Sequence, residues 1–217
     1  MKNYLFGALV LILIGCGEVT NNQKLPVIGN STINEKEVNG EIIYDTVQHT
    51  VGYYRLFDQD SAVVTPETVE GKIYVADFFF TSCPSICPIM KTEMLRIYEE
   101  FKDTDDLMIM SHSIDPEYDT VALLKDYAER LGVMDNKWRF LTGDKDEIFN
   151  LSESSYLVTT SEDKNAPGGY IHSGAFFLVD TKKRIRGVYD GTVTDQVDIL
   201  IKDIRRLLDE TNAAKSE

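Results

Sequence analysis

Between Lys72 and Phe80 the apolar positions run almost without a break, through Ile73, Tyr74, Val75, Ala76, Phe78, Phe79 and Phe80, which predicts a central strand buried on both faces. From Pro88 the spacing changes. Ile89, Met90, Met94, Ile97, Tyr98 and Phe101 recur three and four apart with Lys91, Glu93, Glu99 and Lys102 between them, the pattern of a half-buried helix. Residues 107–114 predict a second buried strand, and Thr120 can cap a helix that carries Leu123, Leu124, Tyr127 and Leu131 and stops at Gly132. A short strand follows at 138–141 and a short helix at 144–151. Residues 175–180 and 184–189 flank the turn residues Thr181, Lys182 and Lys183, so they read as antiparallel neighbours, and a terminal helix presents Val197, Leu200, Ile201, Ile204, Leu207 and Leu208 on one face. Ahead of all this, the aromatic stretch 53–57, the polar turn 58–61 and the apolar return at 62–64 predict one more hairpin.

The order strand, helix, strand, helix, hairpin, helix is that of an α/β thioredoxin-like fold, here with an extra N-terminal β-hairpin. The amino terminus adds a compartment. Lys2 precedes an apolar run from Leu5 to Ile14, too short for the roughly 20 residues a membrane-crossing helix needs, so it reads as a secretory signal. Leu13-Ile14-Gly15-Cys16 resembles the bacterial lipoprotein signal, which implies cleavage before Cys16, lipid on its sulfur, and an extracytoplasmic protein anchored on the periplasmic side of a membrane. The polar stretch after Cys16 lacks hydrophobic periodicity as far as Gly40. The expected organisation is therefore a signal at 1–15, a lipid-anchored flexible tether at 16–40, one domain at 41–211 and a tail at 212–217. The formal charge of −14 gives no electrostatic reason to bind nucleic acid, or to adhere to anionic lipid without an acyl anchor.

With Cys16 assigned to lipid, Cys83 and Cys87 remain, four apart in Thr81-Ser82-Cys83-Pro84-Ser85-Ile86-Cys87-Pro88, where the buried strand becomes a helix. Unpaired amide groups at the start of a helix favour thiolates, the form that attacks disulfides and binds soft metals. Three intervening residues put both sulfurs on one helical face, directed at a common centre with a third position open. Soft sulfur ligands select Cu(I), and an imidazole completes a three-coordinate site that also tolerates Cu(II). Of the three histidines, His49 lies in the polar amino-terminal region and His112 inside a buried strand, where a core histidine is expected. His172 lies in the glycine-rich loop 168–174 that leads into the hairpin beside the cysteine turn, which makes it the candidate ligand.

These residues resemble the Sco family, also called SenC or PrrC, of copper proteins that help assemble cytochrome c oxidase. The resemblance runs from about Tyr53 to the last helix and is carried by the cysteine block with a proline after each cysteine, together with residues 57–60, 113–117, Asp119-Thr120, 141–143 and 171–173. It implies copper bound by Cys83, Cys87 and His172, and delivery to the dinuclear centre of the oxidase's copper-bearing subunit. Another periplasmic copper chaperone or a thioredoxin-like reductant would serve as upstream partner. It also places Asp115 near the site, as a support for the metal loop or a contact for the partner. Many relatives have an aspartate directly before the ligand histidine where this chain has Ile171. A carboxylate there orients the imidazole, so its absence bears on copper affinity. Asp77 interrupts the apolar strand six positions before Cys83, and thioredoxins are similar in carrying a buried aspartate at that distance, where it accepts a proton during disulfide exchange. The alternative for Asp77 is a polar partner such as a lysine. A thiol-disulfide oxidoreductase that keeps the oxidase's copper-site cysteines reduced is thus the competing function, and a peroxiredoxin fits less well, since it has no need of Cys87.

Overall fold

The computed structural model describes residues 24–215. The apolar leader, its cleavage boundary and Cys16 lie outside the described residues, and so does the extreme carboxyl end. Among the described residues no helix is long and apolar enough to cross a membrane.

The chain forms β1 (Thr32–Val38), β2 (Glu41–Val47), β3 (Leu56–Phe57), β4 (Val63–Val64), β5 (Ile73–Phe79), α1 (Cys87–Phe101), β6 (Leu107–Ser113), α2 (Val121–Leu131), β7 (Trp138–Leu141) and α3 (Lys145–Asn150). It continues with β8 (Ser161–Glu162), β9 (Tyr170–Ile171), β10 (Ala175–Val179), β11 (Ile185–Asp190) and α4 (Thr194–Lys215). The core is a five-stranded sheet in the order β11-β10-β5-β6-β7. Strands β5, β6 and β7 are parallel, while β10 runs antiparallel to β5 and to β11. Every residue of β5 and β6 is buried, which is why both read as continuous apolar runs. α1 and α4 touch each other, α4 lies on β11, and α2 packs against β7. Thr120 accepts the Leu123 amide, and Gly132 ends α2 with a φ of 76°, a left-handed turn that favours glycine.

The hairpin ahead of the core is present but short, since only β3 and β4 pair. Its turn is held by Asp58, whose carboxylate accepts the amides of Asp60 and Ala62 and pairs with Arg139. Gln59 donates to the Trp138 carbonyl and accepts the Phe140 amide, so its side chain covers the outer edge of β7.

Two boundaries differ from the sequence reading. The stretch expected to be a tether as far as Gly40 includes β1, which pairs with β2 just beyond it through the turn Asn39-Gly40, with φ values of 54° and 84°. The proposed division at 40/41 falls inside that turn. Both strands are exposed along their whole length, so no one-sided apolar alternation marks them, although Asn-Gly is a strong hairpin signal in itself. Leu25 is also buried, and Ile28 bridges to Ile185. The Arg186 guanidinium donates to the carbonyls of Leu25 and Pro26 and to Asp180 and Glu210, strapping this segment against the sheet and α4. At the other end α4 continues past 211 to Lys215, whose ammonium pairs with Asp106 at 3.0 Å.

Candidate metal centre

β5 delivers the chain to Phe80, and a tight turn through residues 81–86 leads into α1, of which Cys87 is the first residue. Cys83 is therefore in the turn and not on the helix, so the shared helical face expected for the two sulfurs is replaced by a loop that folds Cys83 back over the helix start. The outcome for the donors is the same. His172, in the link between β9 and β10, brings Nε2 to 3.8 Å from Cys83 Sγ and 3.6 Å from Cys87 Sγ, and all three donor atoms lie within 4.8 Å of one another. A metal held at ~2.0–2.3 Å by sulfur and nitrogen in a trigonal arrangement spaces its donors by ~3.5–4 Å, so these atoms need little movement to close on an ion. Both cysteines are buried and are free thiols. His49 and His112 are elsewhere. His49 donates to the Ser155 carbonyl, and His112 is a core residue stacked on Phe78, with Nδ1 donating to the Asp77 carbonyl. Burial holds His112 down at about 4, so it is neutral.

The imidazole of His172 is aimed by its own surroundings. Nδ1 is 3.2 Å from the Ser173 carbonyl, which can only accept, so Nδ1 carries the proton and the Nε2 lone pair faces the sulfurs. An acceptor in that place fixes the tautomer and orientation of the ring. The Phe80 ring stands edge-on to the imidazole at 5.5 Å. Gly168, with a φ of 80°, sits so close to Phe80 and Pro84 that a Cβ would fall 2.6 Å from the Phe80 ring; only glycine lets the histidine loop lie on the cysteine turn.

The two thiols are not equivalent. Burial pushes Cys83 up, but hydrogen bonds from the Ser85 hydroxyl and from the backbone amides of Cys87 and Ser85, with the His172 ring beside it, outweigh it and bring it down to about 6. Cys87 departs from the expectation of two thiolates. Burial pushes it well above the ordinary thiol range, and the adjacent Cys83 adds to that. The amides at the helix start point at Cys83, while Cys87, already inside the first turn, faces inward.

Inward of Cys87 lies a small cavity of ≈ 10 Å³, lined by Asp77, Cys87, Lys91, Ser111 and Tyr127 among others, with room for about one water. Asp77 is buried, and its partner is the Ser111 hydroxyl at 2.5 Å, not a lysine; Ser111 in turn accepts Trp138 Nε1. Burial raises the Asp77 carboxyl to about 7, against which the Ser111 hydrogen bond works only in part.

Asp115 does not touch the cysteines. It accepts the Tyr170 hydroxyl at 2.9 Å, two residues before His172 in the chain. Asp119, which the sequence reading noted only as part of a motif, is fully buried and accepts the Ser113 hydroxyl along with the amide and hydroxyl of Thr81 in the cysteine turn. Ser85, Asp119 and Tyr170 are the site residues that residue type and spacing did not single out; Ser85 and Asp119 were marked only as parts of motifs, and Tyr170 only by its place beside the candidate ligand.

The profile of the SCO1/SenC family matches residues 44–209. Among solved structures, the chain is similar to a SCO1/SenC family lipoprotein from Bacillus anthracis, at 27% identity and a TM-score of 0.67, covering 74% of this chain and 95% of that one. It is also similar to BsSco, described as a member of the Sco family of cytochrome c oxidase assembly proteins with a disulfide switch (29%, TM-score 0.65, 73% and 93% covered). A third is the copper-bound ScoI of Bradyrhizobium japonicum (27%, TM-score 0.61, 73% and 99% covered).

Proposed function

Because the chain belongs to the SCO1/SenC family, we propose that it is a copper carrier that holds one copper ion between Cys83, Cys87 and His172 and delivers it to the dinuclear copper centre of cytochrome c oxidase during assembly. One observation carries this reading: two thiols and an imidazole lone pair converge within 4.8 Å at the start of α1. The donor set is soft, as Cu(I) prefers, and the imidazole extends it to Cu(II). Similar proteins are described as copper-bound and as oxidase assembly proteins, which gives the cargo and the destination. Delivery proceeds by ligand exchange, the target's cysteines replacing Cys83 and Cys87 one at a time. Loading requires both thiols reduced and releases the proton that Cys87 holds.

We place the carrier outside the cytoplasm, anchored through lipid on Cys16. The apolar run ending at Leu13-Ile14-Gly15-Cys16 supports this, and the similar Bacillus anthracis protein is described as a lipoprotein.

The test is copper content of the reduced protein, wild type beside His172→Ala. Wild type is expected to retain one copper per chain against a competing chelator, and the variant to bind at least ~10-fold more weakly, as loss of a donor requires. Oxidising Cys83 and Cys87 to a disulfide should abolish binding until reductant is added. Copper held equally well by wild type, His172→Ala and the oxidised protein would overturn the assignment.

A second reading, thiol-disulfide exchange, is favoured by the raised carboxyl of Asp77 on the cavity it shares with Cys87. Here Asp77 receives the Cys87 proton as Cys87 attacks the Cys83 sulfur of a mixed disulfide, forming the Cys83–Cys87 disulfide and breaking the bond to the target, whose cysteine leaves as a thiolate, and His172 is incidental. Exchange rates that survive His172→Ala but fall in Asp77→Asn would support it.

A further inference from the structure

The segment that carries His172 is weakly held by its own structure. No residue from 161 to 174 is buried, and β9 is two residues long, pairing only with the equally short β8. Its other backbone bonds, Asp163 to Gly169, Ala166 to Asp163 and Gly169 to Ala166, close the loop on itself, and only Gly174 at its end is tied onward, its carbonyl accepting the Gly191 amide just past β11. The cysteine turn, by contrast, is tied to the β6–α2 connection. Asp119 takes the Thr81 amide at 3.0 Å, the Thr81 hydroxyl and the Ser113 hydroxyl, and Ser113 Oγ accepts the Asp115 amide at 3.1 Å. The histidine loop reaches the same connection by one hydrogen bond, from the Tyr170 hydroxyl to Asp115 Oδ1. The Tyr170 ring rests on Phe80 at 5.3 Å between centroids, with the Lys145 ammonium 5.5 Å from its centroid, so the side chain is aimed before the hydroxyl engages.

We infer that Tyr170 is a positioning residue for the metal site: its hydroxyl, donating to Asp115, latches the His172 loop to the bracket that already holds the cysteine turn. The inference rests on the copper-carrier reading above and deepens it. With the latch closed, Nε2 stands at 3.6–3.8 Å from both sulfurs before any metal arrives. With it open, His172 samples positions from which it cannot bind, and apparent affinity falls by the fraction of time it spends there. Asp115 then acts on the metal only through Tyr170, which gives a physical content to its place near the site.

Tyr170→Phe removes one oxygen and keeps the ring on Phe80. In metal-free protein, amide hydrogen exchange across residues 163–173 should quicken while that of β5 and β6 stays as in wild type. With Cu(I) and a competing chelator, Tyr170→Phe should weaken binding ~10-fold, the usual scale for a residue that supports a ligand. The same substitution in a His172→Ala background should change nothing, because there is no ligand left to position. Asp115→Ala should match Tyr170→Phe, the double variant should be no worse than either, and Asp115→Asn, which keeps an acceptor, should recover most of the affinity. Equal losses from Tyr170→Phe with and without His172, or no loss with it, would overturn the latch and leave the carrier reading standing. If wild type bound no copper, the carrier reading would fall and the latch with it.

Discussion

Replacing Asp77 by asparagine should stabilise the protein, and increasingly so as pH rises. The carboxyl is moved from an ordinary 3.8 to about 7 by burial between the sheet and α1, with only the Ser111 hydroxyl to support its charge. In the unfolded chain the proton leaves near pH 4; in the folded chain it stays until about 7. Between those values the native state binds a proton that the unfolded state does not, so raising the pH favours unfolding. The stability tied to the protonated form is complete below pH ~4 and is lost progressively as pH rises through 7. A displacement of about three units at 1.36 kcal/mol each puts the full loss at about 4 kcal/mol, an upper bound, of which roughly 2–3 kcal/mol develops between pH 5 and pH 8. Asparagine keeps the shape and can still accept from Ser111, but carries no charge to bury. Urea unfolding of reduced wild type and Asp77→Asn should therefore give curves that separate with pH, the variant's midpoint moving ahead by about 1 M at pH 8 for a slope of about 2 kcal/mol per molar. The titration of Cys83 falls in the same window but is common to both proteins and cancels in the difference. Parallel pH dependences, or a variant less stable than wild type at pH 8, would refute the argument that an unpaired carboxylate is buried here.

Cys83, brought down to about 6, should be alkylated by iodoacetamide much faster than Cys87 at pH 7, with half its maximal rate near pH 6; mass mapping of singly modified protein that found the label shared equally between the two cysteines would refute this. Arg186→Ala should cost ~2–3 kcal/mol, because it strips a buried partner from Asp180, which keeps only Arg184, and from Glu210, and should expose residues 24–28 to proteolysis, which limited digestion followed by amino-terminal sequencing would detect.

The core was legible because each of its elements has one reason to exist. β5 and β6 are buried on both faces and read as unbroken apolar runs, and α2 announces its ends with Thr120 and Gly132. The hairpin β1–β2 had no such reason, since it buries neither face, and its only mark was the Asn39-Gly40 turn. The strap at Leu25–Ile28 depends on Arg186, some 160 residues away in the chain, a contact that no local pattern encodes. The candidate ligands Cys83, Cys87 and His172 could be named from residue chemistry alone, but not the difference between the thiols, because that is decided by which sulfur the amides reach and which one faces the interior. Asp77 was recognisable as anomalous from its place in an apolar run, whereas its partner, Ser111, required the parallel register of β5 with β6.

That difference between the thiols bears on how one site can favour carriage over exchange. Cys87 has two candidate recipients for what it gives up: its sulfur lies 3.6 Å from the His172 lone pair, and it shares an inner cavity with the Asp77 carboxyl. A metal ion demands the thiolate together with the imidazole, so loading draws on His172 and expels the Cys87 proton. Disulfide chemistry demands the thiolate alone and needs somewhere nearby for the proton to go. Cys83 is ready for either, being a thiolate at neutral pH. The choice therefore rests on the histidine loop: while Tyr170 keeps Nε2 in place, the third ligand position is filled before a disulfide partner can approach, and binding a soft ion costs little rearrangement. Release the loop and the same two sulfurs, with Asp77 behind them, are left as an exchange pair. Substitutions at Tyr170 and at Asp77 should for that reason shift the balance in opposite directions, the first weakening copper binding while sparing exchange, the second slowing exchange while sparing the metal.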